Sequence, residues 1–205
     1  IYDELIEEFK NNNKLLKYFD IPIQHINDRI LRTMNRNTNK KQVAELIDKI
    51  RSEVTGAVIR TSLITGFPGE TQKEHEELKQ FLNEYKLDRV GIFKYSREED
   101  TPAYRLPDQI DEEAKEQRYN ELMELQQNIS YENSLKKIGA TYDVLIEEKD
   151  VENIWVGRTY MDSVDIDGVV YVSSDKDLKL GNIYEVKIND ALEYDLIGEV
   201  HYEMV

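Results

Sequence analysis

The chain has 205 residues, a hydrophobic share of 40% and a formal net charge of −15. That length allows one large domain or two smaller ones, and the apolar share allows a packed core. The absence of cysteine excludes disulfides, thiolate-held metals and cysteine nucleophiles within these residues, and no apolar run approaches the ~20 residues of a membrane span. The charge is uneven. Residues 139–205 hold 16 acidic and 5 basic residues, a net of −11, which leaves −4 for residues 1–138. A surface that acidic repels phosphate backbones and attracts basic partners.

In chain order, Tyr2, Leu5, Ile6 and Phe9 fall at helical spacing and predict a helix over 2–11. Ile1-Tyr2-Asp3-Glu4 carries no leader pattern and no initiator Met, so the sequence is expected to begin inside a longer chain. A strand is expected near 18–24, with Pro22 at its end rather than its middle. Asn27 caps a short helix through Met34, and Asn37-Thr38-Asn39 opens another. Val43, Leu46, Ile47, Ile50 and Val54 form the apolar face of that helix, and Gly56 ends it.

A strand over 57–65 follows, then the turn Gly66-Phe67-Pro68-Gly69-Glu70. Thr71 and Glu74 read as a capping box, so a helix over 72–86 starts at once, with Leu78, Phe81, Leu82 and Tyr85 inward. The next strand runs Arg89–Tyr95, a polar loop spans 96–108, and Asp111 opens a long helix to about Ile138. Strands alternating with helices mean a parallel sheet. After Gly139 the texture changes to five short strands, near 141–146, 153–160, 168–173, 182–189 and 194–202, as in a small barrel of the OB type.

Taken singly, the candidate motifs are weak. The Gly66–Glu70 turn lacks the Lys-Ser/Thr pair of a P-loop and the glycine spacing of a dinucleotide site, so a connecting turn explains it better on pattern alone. Glu70 would then only complement a helix dipole. Gln24 and His25 close a predicted strand, where ligands of parallel sheets bind. Tyr95, Glu98, Glu99 and Asp100 line either a cavity mouth or a solvated loop. His25, His75 and His201 fall in different elements, so no metal site is expected from them. Trp155 is a core residue or part of a binding face.

Together the motifs resemble the radical S-adenosylmethionine methylthiotransferases. The resemblance rests on Asp20-Ile21-Pro22-Ile23-Gln24-His25 with Arg32 and Met34-Asn35-Arg36, on Arg60-Thr61 through Gly66-Phe67-Pro68-Gly69-Glu70-Thr71, and on Phe93-Lys94-Tyr95-Ser96 with Glu98-Glu99 and Thr101. It covers nearly the whole chain. It implies an α/β fold: the carboxy-terminal half of a TIM-like radical SAM barrel over 1–138, with the last three strands and helices, then a TRAM domain, a small all-β OB-like barrel, over 139–205. The family's C-x-x-x-C-x-x-C cluster motif is absent, so a piece inactive alone is implied.

The family branch that modifies an aspartate of a small-subunit ribosomal protein is favoured by Ile21-Pro22-Ile23-Gln24-His25 and by Asp165-Ile166-Asp167-Gly168-Val169-Val170-Tyr171-Val172. The acidic last domain agrees, since it suits a basic protein better than transfer RNA. The branch that modifies a transfer-RNA adenosine, and a non-catalytic protein- or RNA-binding module, are the alternatives. The implied cofactors are S-adenosylmethionine and, in the intact enzyme, two 4Fe-4S clusters whose ligands are not in this sequence. Cofactor contacts are implied for Gln24, Arg36, Ile64, Gly66, Phe67, Phe93 and Tyr95. No catalytic acid, base or nucleophile is implied, no metal ligand, no membrane contact, and a cytoplasmic location.

Overall fold

In the computed structural model, which describes residues 1–201, strand β2 (Val58–Thr65) is the middle of a three-stranded parallel sheet. It pairs with β1 (Tyr18–Asp20) on one side and β3 (Arg89–Lys94) on the other. One face of β2 is buried along its length, through Ile59, Thr61, Leu63 and Thr65, while Arg60, Ser62 and Ile64 on the other face are half-buried. Consecutive parallel neighbours need crossovers. α2 (Asp28–Thr33) and α3 (Lys40–Glu53) supply the first, and α4 (Gln72–Tyr85) the second. Both longer helices start with a complete capping box, Asn39 with Gln42 and Thr71 with Glu74.

α1 (Asp3–Asn11) buries Ile6 fully and stacks Phe9 on Phe19, with ring centroids 4.3 Å apart. Tyr2 and Leu5, which share the helical spacing of Ile6 and Phe9, are exposed. β1 is shorter than the strand expected to residue 24. Proline has no N–H to give the ladder. The regular ladder ends before Pro22; beyond it the Ile23 amide donates to Thr61 Oγ1 at 3.1 Å and Gln24 forms an isolated bridge to Leu63.

α5 (Glu112–Leu135) ends short of Ile138, and both Leu135 and Ile138 are exposed rather than inward. The chain divides into two compact units at Gln126/Gln127, within this helix. In the second unit β4 (Thr141–Val151), β5 (Ile154–Arg158), β6 (Val170–Ser173), β7 (Ile183–Ala191) and β8 (Leu196–Val200) close into a barrel in the order β4-β5-β6-β8-β7. All pairings are antiparallel except β6 with β8. Its core holds Val144, Ile146, Trp155, Val170, Val172, Val186 and Ile188, so Trp155 is packing and not a binding face.

β4 runs five residues past the expected end at Ile146. Irregularities at Ile146/Glu148 and Lys149/Val151 bend it, so one strand pairs with β7 and then with β5. Closure brings backbones too near for side chains. A Cβ on Gly157 would lie 2.4 Å from the Leu145 carbonyl oxygen. The last strand expected, 194–202, ends at Val200, and residue 202 lies outside the described residues. The α/β sheet followed by a small all-β, OB-like barrel is the architecture expected. No helix among the described residues is long and apolar enough to cross a membrane.

Candidate functional site: a cleft at the carboxyl ends of the sheet

The three strands end around one cavity of about 560 Å³. That lies within the range of small-molecule sites. Gln24 comes from beyond β1, Ser62 and Ile64 from β2, Phe67 from the following turn, and Phe93, Tyr95 and Ser96 from the end of β3. The end of α2 adds Met34, Asn35 and Arg36, and the loop after β3 adds Thr101, Pro102 and Ala103. Six of the seven residues singled out from sequence, all but Gly66, share this wall. Glu98, Glu99 and Asp100 are exposed and do not line it, which corrects that alternative.

The cleft has an apolar floor. Ile30, Phe67 and Tyr95 pack together, joined by Met34, Ile64, Ala103 and Leu106. The rings of Phe67 and Tyr95 meet edge-to-face at 5.2 Å. Phe93 is 53% exposed, which leaves its ring free to stack. Three polar groups face this floor without protein partners among the described residues. The Gln24 side-chain amide makes no hydrogen bond. No carboxylate pairs with the Arg36 guanidinium. The Tyr95 hydroxyl is buried and unbonded, and burial pushes its phenol up, against the pull of Arg97.

Gln24 also has a left-handed backbone, with φ of 71°. Its amide donates to the Ser62 carbonyl at 2.8 Å, and its carbonyl accepts from the Ile64 amide at 2.7 Å. Buried Ile23 and His25 anchor it on either side. Left-handed residues that are not glycine concentrate at ligand clamps. Asn35, across the same cleft, is a second one, with φ of 58°.

Gly66 stands behind the lining. It has φ of 73°, and a Cβ there would lie 2.5 Å from Lys115 Cγ of α5. Its turn is held by Glu70, which is 2% exposed. Glu70 Oε2 accepts from the Gly66 amide at 2.9 Å and the Phe67 amide at 3.4 Å. Oε1 accepts from Thr65 Oγ1 at 3.3 Å and Arg118 Nη1 at 2.9 Å. Glu70 therefore does not simply complement a helix dipole. Burial acts to raise its carboxyl, but His25, Arg118 and His75 outweigh burial and hold it below the usual carboxylate range.

His25 and His75, distant in sequence, meet at that carboxylate. His25 Nε2 lies 3.7 Å from Oε2, and His75 Nδ1 lies 3.9 Å from Oε1. No spacing signal could have shown this. On its other side His75 Nε2 donates to Glu121 at 3.1 Å, and burial keeps the ring's affinity for a second proton below normal despite that carboxylate. His75, Glu76 and Glu121 present donor atoms within 4.8 Å of one another. The Lys79 ammonium already pairs with both of those carboxylates, at 3.5 and 3.0 Å.

Comparison with known proteins gives two family matches, to the radical SAM superfamily over residues 1–82 and to the TRAM domain over residues 138–200. Relatives carrying the name ribosomal protein uS12 methylthiotransferase RimO are similar along the chain. One from Thermoanaerobacter sp. (strain X514) is 52% identical over 97% of this chain and 45% of its own length. One from Clostridioides difficile (strain 630) is 51% identical over 100% of this chain and 46% of its own. One from Clostridium botulinum (strain Hall) is 50% identical over the same shares. The chain spans about half the length of the curated relatives it matches. With half its residues shared along its length, and a radical SAM segment followed by a TRAM barrel, the chain belongs to the radical SAM methylthiotransferase family.

Proposed function

We propose that this chain is the carboxy-terminal part of an enzyme that adds a methylthio group to the β-carbon of an aspartate in ribosomal protein uS12, and that the cleft holds S-adenosylmethionine. One observation carries the cofactor reading. An apolar floor is ringed by a free amide, a free guanidinium and a buried, unbonded hydroxyl, at Gln24, Arg36 and Tyr95. That donor set fits an aromatic base joined to a ribose and an amino-acid carboxylate. Phe93 and Tyr95 would flank the base, Ile64, Gly66 and Phe67 would bound it, Gln24 would meet the ribose or the methionine end, and Arg36 would take the carboxylate. When bound, the cofactor supplies the one-electron chemistry that an unactivated carbon needs. This chain's residues bind and orient it.

Iron–sulfur clusters of the usual kind need thiolates. The chain has none, so its own residues do not fit a cluster, and we assign the two clusters to the part of the relatives' length it does not span. The relatives' shared name supports uS12 as substrate. The net of −11 in residues 139–205 supports docking of a basic protein on the TRAM barrel rather than a phosphate backbone, and a ribosomal substrate supports a cytoplasmic site of action.

The test is a chimera in which this chain replaces the carboxy-terminal half of the C. difficile relative, with its clusters reconstituted anaerobically. Incubated with uS12 and S-adenosylmethionine, it should add the mass of one methylthio group in place of hydrogen at a single aspartate. Modification of transfer RNA instead, or of neither, would overturn the reading.

A further inference from the structure

We propose that Glu70 is a positioning residue for the cleft, whose sealed carboxylate fixes the two strand ends that carry Gln24 and Phe67. The inference rests on the adenosyl reading of the cleft and adds a residue that does not itself line it. The first tie is to the end of β2. Both turn amides, Gly66 and Phe67, donate to the single oxygen Oε2, and the Glu70 amide returns to the Phe67 carbonyl at 2.9 Å. The side chain and main chain of one residue thus clamp the turn from both sides.

The second tie is to the end of β1. His25 Nδ1 accepts from the Asn27 amide at 3.0 Å. A nitrogen that accepts carries no proton, so the proton of the neutral ring sits on Nε2. That nitrogen lies 3.7 Å from Glu70 Oε2, an electrostatic contact longer than a hydrogen bond. His25 is fully buried and adjoins Gln24, whose left-handed backbone aims it at the cavity. The third tie is to α5. Arg118 Nη1 donates both to Oε1 and to the Glu70 carbonyl oxygen at 3.0 Å.

The arrangement requires a carboxylate and not merely a side chain of that size. Oε2 faces the N–H groups of Gly66, Phe67 and His25, and Oε1 faces the Thr65 hydroxyl, Arg118 and, at 3.9 Å, His75 Nδ1. A glutamine has one acceptor oxygen and one NH₂ donor. In one orientation its NH₂ meets the two turn amides; in the other it loses the charge-assisted bond from Arg118 and keeps only Thr65 Oγ1 and His75 Nδ1 as acceptors. Glu70→Gln keeps the volume and breaks the clamp.

The probe is S-adenosylhomocysteine, titrated calorimetrically into the chain, with amide resonances followed by NMR. Glu70→Gln should weaken binding about tenfold, the factor that ~1.4 kcal/mol represents. Val43→Ala, a core deletion in α3, serves as a control for lost stability and should leave affinity within about twofold. In Glu70→Gln the resonance changes should centre on Gly66 and Phe67 and reach Gln24. Arg118→Lys, which keeps the charge but not the double contact, should show the same pattern more weakly, and it carries the test if Glu70→Gln does not fold. Equal loss of affinity in Glu70→Gln and Val43→Ala, or full affinity in Glu70→Gln, would overturn the proposal. If the unmutated chain does not bind the probe, the adenosyl reading falls. The positioning role is then decided by the resonances: it fails if the Glu70→Gln changes stop short of Gln24.

Discussion

The two sheets of this chain solve the same problem in opposite ways. In the barrel each of the five strands is paired on both sides, so no backbone ladder is left open. In the parallel sheet only β2 is paired on both sides, and β1 and β3 are edges. Open edges present unpaired backbone groups that invite pairing with another chain. Exposed apolar side chains gather before β1, with Leu16 at 59% and Leu15 at 37%. The barrel is thus complete within its own residues and holds together by apolar packing. The sheet unit holds its strand ends with a buried ion pair, Glu70 with Arg118, flanked by the rings of His25 and His75, behind the wall of the cleft. Closure serves stability, and the open end leaves room for a ligand.

The largest effect expected tests the barrel side of this contrast. Trp155 is the single tryptophan, and it lies in the barrel core, so its fluorescence reports on that core. Ile146 is fully buried there. Ile146→Ala should cost ~2–5 kcal/mol, through lost transfer energy and a cavity the closed barrel cannot collapse. Urea unfolding followed at Trp155 measures it. An unmoved midpoint would mean that apolar packing does not set the barrel's stability.

A smaller effect tests the charged side. Glu74 accepts from Arg29 Nε at 2.7 Å and from the Thr71 amide at 2.8 Å. Burial opposes ionisation, but the Arg29 bond and the Thr71 bonds outweigh it and hold the carboxyl at about 2. Lys79, Gln117 and His75 do the same for Glu121, also at about 2. Both folded values lie below the unfolded value near 4.5. The stability they contribute is therefore full above about pH 4.5 and is lost as pH falls towards 2. Arg29 is half exposed. Solvent screening then leaves about 1 kcal/mol or less for the Glu74 pair. Helical circular dichroism during urea unfolding at pH 5 and at pH 2.5 reads this out, and Glu74→Gln should reduce the difference by its own share, leaving that of Glu121.

Regular elements were legible in the sequence because local signals specify them. The apolar spacing of Val43, Ile47 and Ile50 and the Thr71/Glu74 box place α3 and α4 where they lie. The wall of the cleft was legible only through the combined motifs of the family, since no single turn or strand end identifies a ligand site. What escaped was long-range. Nothing near His25 or His75 indicates that both rings approach one carboxylate. Glu70 looked like a dipole partner because its sequence neighbours are a turn and a helix, whereas its contacts include a residue 48 positions away on α5. The left-handed conformation of Gln24 was equally hidden, since glutamine has no preference for it and the flanking buried residues impose it.

The smallest effect separates the two units by the backbone strain each carries. Lys86 ends α4 in the left-handed region, with φ of 43°, and its amide donates to the Leu82 carbonyl at 2.9 Å. A left-handed helix cap favours glycine, because a Cβ there crowds the following carbonyl by ~1–2 kcal/mol. Lys86→Gly should therefore stabilise the sheet unit by ~0.5–1 kcal/mol, after the larger entropy that glycine loses on folding. The backbone carbonyl that accepts from Arg51 Nη2 at 3.3 Å is kept. In the barrel the matching position is Asn153, at the turn from β4 to β5, with φ of 63°. Asparagine tolerates this conformation through its short polar side chain. Asn153→Gly should then gain less than Lys86→Gly, with the midpoint at Trp155 barely moved while the helical signal shifts to higher urea in the lysine variant. Equal gains would show that side-chain type at a left-handed turn does not matter here. A loss in Lys86→Gly would mean that contacts of the lysine side chain outweigh the relief of strain.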